Sequence, residues 1–138
     1  MHTFVLQDWI TVRGQNSSAT YATTIVQSEN DWLDLSPFQD LFVWVMVAEI
    51  SYGSGGSVAL YLDTSPTEDE SLFQSMTSGA AFSPIVVSAT PQVIKLPMLS
   101  ANVPLARFLR WRLVAAGTAS NAWDLTFRIV VAANSPGM

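Results

Sequence analysis

The sequence predicts an all-β protein: a single-domain β-sandwich of jelly-roll type, with about eight strands and one short helix near residues 67–76. Three observations carry this expectation. Short runs rich in Val, Ile, Thr and aromatic residues are separated by clusters of Gly, Ser, Asn and Pro. Several of those runs alternate apolar and polar residues with the period of two that a half-buried strand requires. No internal repeat is visible, and no alternation of strands with helices. The length of 138 residues suits one domain spanning 1–138, with loose ends expected at 1–3 and 134–138.

Between Thr3 and Arg13, Phe4, Leu6, Ile10 and Val12 share one face, and Thr3, Gln7 and Thr11 fall on the other. The polar run Gly14-Gln15-Asn16-Ser17-Ser18 marks a turn. Tyr21 to Val26 reads as a β-branched second strand, and Asp31 to Leu35 as a short extended piece closed by Ser36-Pro37. Leu41 to Ile50 follows, and it is apolar on both faces as far as Ala48. Leu41, Val43, Val45 and Val47 point one way; Phe42, Trp44, Met46 and Ala48 point the other. A small sandwich buries only one face of a strand in its own core, so the second face calls for a cover or a partner.

Gly53-Ser54-Gly55-Gly56-Ser57 is a flexible hairpin connection, after which Val58, Leu60 and Leu62 turn inward. Thr67 and Glu70 have the spacing of a capping box, and Leu72, Phe73 and Met76 would seat the helix that it starts. Ser78 to Ala81 reads as a linker. Ile85–Val87 and Gln92–Leu96 are short strands set between prolines. In Leu105 to Ala115, Leu109, Trp111 and Leu113 share one face, and Arg110 and Arg112 the other. After the turn at Gly117–Asn121, Trp123, Leu125, Phe127, Ile129 and Val131 alternate with Asp124, Thr126 and Arg128.

Composition narrows the function classes. Charged residues make up 12% of the chain, about half of the usual share, as expected of a surface that neighbours cover. The absence of cysteine excludes disulfides and thiolate metal sites. The N-terminal residues lack the basic and apolar regions of a signal peptide, and no apolar run reaches membrane-spanning length, so a soluble product without membrane contact is expected. The net charge of −5 is segregated. Nearly all acids precede residue 71, whereas Lys95, Arg107, Arg110, Arg112 and Arg128 follow residue 94; Arg13 and Asp124 are the exceptions. Such an arrangement suits pairing within one fold or between identical subunits, and it lacks the basic footprint of a nucleic-acid binder.

No catalytic, cofactor-binding or metal-binding residue is predicted, so the chain is not read as an enzyme. The single histidine, His2, sits at the terminus, away from any nucleophile pattern. A phosphate-binding loop is missing. The acids Asp63, Glu68, Asp69 and Glu70 do not have EF-hand spacing and are explained by helix capping. Trp44, Trp111 and Trp123 lie inside strand patterns and read as core or sheet-to-sheet packing, whereas Trp9 and Trp32 are candidates for exposed contacts. Arg110 and Arg112 suit either an outer face with cross-strand acids or a salt-bridged subunit contact. The predicted interface residues are Phe42, Trp44, Met46, Arg110, Arg112, Trp9 and Trp32.

Four stretches carry a family resemblance: Asp31 to Asp40 (DWLDLSPFQD), Leu60 to Phe73 (LYLDTSPTEDESLF), Pro104 to Leu113 (PLARFLRWRL) and Trp123 to Ile129 (WDLTFRI). Together they resemble small all-β structural proteins of tailed-bacteriophage virions, over most of the chain. The resemblance implies a head decoration, or cement, protein that forms a homotrimer and binds the major capsid protein. It would be made in the host cytoplasm and reside on the capsid exterior, its extended ends or the Gly53–Ser57 loop touching the shell. No binding residue carries over, because the group has no short invariant motif to match. A place in the tail or at the head–tail junction fits the same resemblance. The competing function is a lectin-like carbohydrate-binding module using Trp9 or Trp32.

Overall fold

The computed structural model describes residues 2–15, 23–53, 56–76, 85–87, 91–98, 105–116 and 122–135. Among the described residues ten strands follow one another: β1 (His2–Gln15), β2 (Thr23–Val26), β3 (Leu33–Asp34), β4 (Asp40–Tyr52), β5 (Ser57–Ser65), β6 (Gln74–Ser75), β7 (Ile85–Val87), β8 (Gln92–Met98), β9 (Phe108–Ala116) and β10 (Ala122–Asn134). They form two antiparallel sheets. The first has the order β1-β10-β4-β8; the second has β2-β9-β5-β6, with β3 added on β9 and β7 on β5.

Setting aside the two-residue strands β3 and β6, the pairing is that of a long antiparallel ribbon. β1 pairs with β10, β2 with β9, β4 with β8 and β5 with β7. Rolling that ribbon up lays β10 beside β4 and β9 beside β5, and both contacts form. This is the jelly-roll winding the sequence predicts.

The alternation in the sequence becomes the two sides of each sheet. Leu41, Val43, Val45 and Val47 on β4 and Leu125, Phe127, Ile129 and Val131 on β10 are buried against Val58, Leu60 and Leu62 on β5 and Leu109, Trp111 and Leu113 on β9. Trp111 meets Phe127 edge-on across the core, with ring centroids 5.1 Å apart. Trp123 lies over Gly14, and a Cβ at that glycine would stand 2.5 Å from the indole Cζ2, so no side chain fits there.

Several expectations need correction. The segment near 67–76 makes one 3-10 turn, Glu70–Leu72, and its cap is Asp69, whose side chain accepts from the Ser71 N–H. Thr67 Oγ1 instead accepts from the Asp69 N–H. A longer helix cannot form because Gln74 and Ser75 pair with β5 and the Met76 N–H donates to the Leu62 carbonyl. The extended piece expected from Asp31 starts as a 3-10 turn, Glu29–Asp31. The expected loose ends are also shorter, since His2 and Thr3 pair with Ala133 and Ala132, and Asn134 pairs with Asp40. The expected linker 78–81, the turn 117–121, and residues 54–55 of the hairpin connection lie outside the described residues.

β1 is irregular, with register shifts against β10 between Val5 and Gln7 and between Gln7 and Ile10. Ile10, expected inside, is 36% exposed as a result of this irregular stretch. At the first shift the Leu6 carbonyl accepts from Gln27 Nε2 at 2.6 Å. Gln27 is buried and fully used. Its Nε2 also donates to the Asp31 carbonyl, its Oε1 accepts from the Trp111 N–H, and its own N–H donates to the Trp111 carbonyl. One side chain thus joins β1 of the first sheet to β9 of the second.

Candidate functional site

The two outer faces of the sandwich hold the predicted site residues, and they differ in kind. On the four-stranded sheet, ladder register places Val5, Val130, Trp44 and Lys95 in one row across β1, β10, β4 and β8. The neighbouring rows bring Thr3, Ala132 and Phe42 on one side and Arg128, Met46 and Val93 on the other. Phe42 and Trp44 stack with centroids 4.5 Å apart. Phe42, Trp44, Met46 and Val130 are half-buried, while Val5 is 45% and Val93 56% exposed. The centre of this face is therefore apolar and lies open. Trp44 belongs to this outer face, unlike Trp111 and Trp123, which are core residues. Charges flank the patch: Arg128 Nε lies 3.3 Å from Asp8 Oδ1, and exposed Lys95 stands on β8.

On the second sheet the outer face carries Asp63 of β5 directly opposite Arg110 of β9. Asp63 is buried, and its Oδ2 accepts from Arg110 Nε at 3.3 Å and Arg112 Nε at 3.0 Å. Arg110 is itself buried. Its guanidinium lies 4.0 Å from the Phe73 ring centroid and 5.4 Å from that of Trp32, and its Nη1 stands 3.6 Å from Glu70. Trp32 and Phe73 meet edge-on at 4.6 Å, and Trp32 Nε1 donates to the Gln27 carbonyl. Arg112 sits 4.2 Å above Tyr61. The segments around Trp32 and Phe73 thus close over the arginine.

The predicted interface set therefore divides. Phe42, Trp44 and Met46 come together on an open face. Arg110 and Trp32 are engaged inside the chain, and Arg110 presents no free surface. Arg112 is half-buried beside them, and Trp9 stands 50% exposed on the irregular stretch of β1. Gln27, which holds Trp32 and both sheets, was not among the predicted residues; a lone glutamine after a strand carries no signal of that role.

The remaining polar features are structural. Asp34 accepts from Arg107 Nη2 at 2.8 Å, and hydrogen bonding to Arg107 holds its carboxyl down at about 2. Among the described residues, no group of three His, Cys, Asp or Glu side chains is arranged to hold a metal ion. A cleft of about 280 Å³ at one end of the first sheet is lined by Arg13, Gly14, Ser51, Ala122, Trp123 and Asp124. The Trp123 indole N–H is buried there without a hydrogen-bond partner, sealed from the cleft.

The fold and this face define a jelly-roll sandwich with a partly exposed apolar patch on one sheet. No protein family and no curated protein matches the chain. Solved structures with a similar fold include chains from infectious bursal disease virus. A chain of the Gt strain structure matches with a TM-score of 0.60 and 10% identity, and one of the Gx strain with 0.56 and 10%. Both matches cover 99% of this chain and 32% of the other, so this chain spans about a third of the length of those it matches. The VP2 subviral particle of the same virus gives a TM-score of 0.49 at 11% identity. At such identities the likeness is one of fold.

Proposed function

We propose that this chain is a structural protein of a virus particle and, more narrowly, a decoration protein that stabilises a bacteriophage capsid. The observation that carries this reading is the open apolar face formed by Phe42, Trp44, Met46, Val130, Val5 and Val93 on a rigid sandwich. A shell-stabilising protein acts through many modest contacts made by repeated copies. It needs a fixed shape and a surface for self-association, and the sandwich with its partly exposed apolar face supplies candidates for both. The fold likeness to chains of a virus structure supports the wider class, and the phage-protein resemblance supports the narrower one. The proposed partners are further copies of the chain, forming a homotrimer, and the major capsid protein, on the capsid exterior.

The test is the solution mass of the purified protein, read by light scattering after size exclusion. The wild type should run as a trimer. Trp44→Ser with Met46→Ser should give a folded monomer with an unchanged β-type circular dichroism spectrum. Global unfolding of that variant would instead make the face part of the intrachain core. A wild type that stays monomeric at high micromolar concentration would remove self-association. The fold likeness also favours a second reading, a portion of a shell-forming subunit; closed particles assembled from the purified chain alone would select it.

A further inference from the structure

The charge segregation of the sequence resolves into specific pairs, and among the described residues one cation of the group after residue 94 is left over. Arg107 pairs with Asp34, Arg110 with Asp63 and Glu70, Arg112 with Asp63, and Arg128 with Asp8. Each of these joins an acid from before residue 71 to a base from after residue 94. Lys95 belongs to the same basic group, yet among the described residues no carboxylate lies within ion-pairing distance of it. It is exposed, shares the Trp44 row, and sits on β8, an outer strand of its sheet. β1 is the outer strand on the opposite side, and Asp8 projects from it on the same face, with 77% of its side chain accessible. One face therefore has an apolar centre, a cation at Lys95 on its β8 side and an anion at Asp8 on its β1 side, where Arg13 also stands, opposite Asp124.

We infer that this face turns toward a symmetry axis parallel to its strands, so that Lys95 of one copy meets Asp8 of the next. A rotation about such an axis preserves height along the strands and sets each β8 side against a β1 side; Lys95 stands one same-face row, about 7 Å along the strands, from the Arg128 row that holds Asp8, a step that the lysine side chain spans. The centres of the faces, with Trp44 and Met46, then converge on the axis and leave water together. Asp8 already neighbours Arg128, so the contact would be a three-membered network at the polar rim of an apolar interface. The inference rests on the self-association reading above and adds which face, which edges and which charges meet. Three copies close such a ring as readily as two, in keeping with the proposed trimer.

Charge reversal tests it on the full chain. Wild type, Lys95→Glu and the double variant Lys95→Glu with Asp8→Lys are compared by light scattering over a concentration series. Thermal melts followed by circular dichroism confirm that each is folded. K95E should raise the dissociation concentration on the order of tenfold per contact, and the double variant should recover most of that loss. The K95E defect should shrink at high salt, where exposed charges are screened. If the wild type associates and K95E associates equally well, this inference falls while self-association stands. If K95E weakens association and the double variant does not recover, Lys95 meets another acid and the Asp8 pairing falls. A wild type that never associates overturns both.

Discussion

The outer faces of the two sheets solve the same problem in opposite ways. On the second sheet, Asp63, Arg110 and Arg112 are placed on the outward side of β5 and β9, and the chain then folds Trp32 and Phe73 over them. On the first sheet, Phe42, Trp44 and Met46 occupy the outward side of β4, and nothing among the described residues covers them fully. Polar groups were buried where apolar ones would be expected to hide, and apolar groups were left open. The difference teaches where each surface finds its partner. The charged cluster is satisfied within one chain, so its effect is to fix local structure. The apolar face is only partly covered within one chain, so on the proposed reading its effect appears between molecules.

The contrast breaks most severely at Asp63. Asp63→Ala leaves the buried Arg110 guanidinium without its carboxylate, which should cost about 3–5 kcal/mol in urea unfolding. A loss below about 1 kcal/mol would mean that Glu70 or water takes over and that the cover is loose. Gln27→Leu comes next. It strands the Leu6 and Asp31 carbonyls and the Trp111 N–H, for an expected loss of about 2–4 kcal/mol. The Gln27 side chain also bonds the Asp31 carbonyl beside Trp32, so loosening of that segment should shift tryptophan fluorescence toward the solvent-exposed wavelength. The Trp44→Ser and Met46→Ser pair on the open face should lower monomer stability by only about 1–2 kcal/mol while abolishing association.

The smallest effect concerns the exposed pair Asp34–Arg107. Its carboxyl is held at about 2 in the folded chain, below the ordinary aspartate value near 4. The sign follows from linkage: the contribution is complete above the unfolded value and fades as pH falls from about 4 toward 2. Arg107→Ala should therefore differ from wild type slightly at neutral pH, and the gap between their melting temperatures should close as the solution is acidified through that window. A gap that stays constant down to pH 2 would remove the ion pair as its cause.

Strand positions were legible because burial on one side imposes a period of two, and β4, β5, β9 and β10 keep that period almost throughout. The parity argument also set Arg110 and Arg112 on the outer side of β9 correctly. It could not show that Arg110 is buried, because the cover comes from residues 32 and 73, distant in sequence. The predicted helix is cut to one 3-10 turn for a related reason. The capping pattern at Thr67 and Glu70 is local, and β5 outcompetes it by pairing with Gln74 and Ser75. Gln27 was invisible because its role depends on an irregularity in β1, which no single residue type announces. The open face of β4 was legible from eight consecutive residues, since no other arrangement of a strand can hide both sides.

The ribbon winding has a consequence for how the chain acquires its structure. β10 lies between β1 and β4, and His2 is paired with Ala133. The first sheet therefore has a gap at its middle until residues 122–134 arrive. A ribosome-bound chain lacking them would display β4 with its β10 edge bare and its outer apolar side wet. Pairings that span nearly the whole sequence place this protein among slow-folding topologies, on the milliseconds-to-seconds scale. The strand whose outer side carries the proposed contact is thus a hazard during synthesis, and the arrival of β10 is what removes its bare edge.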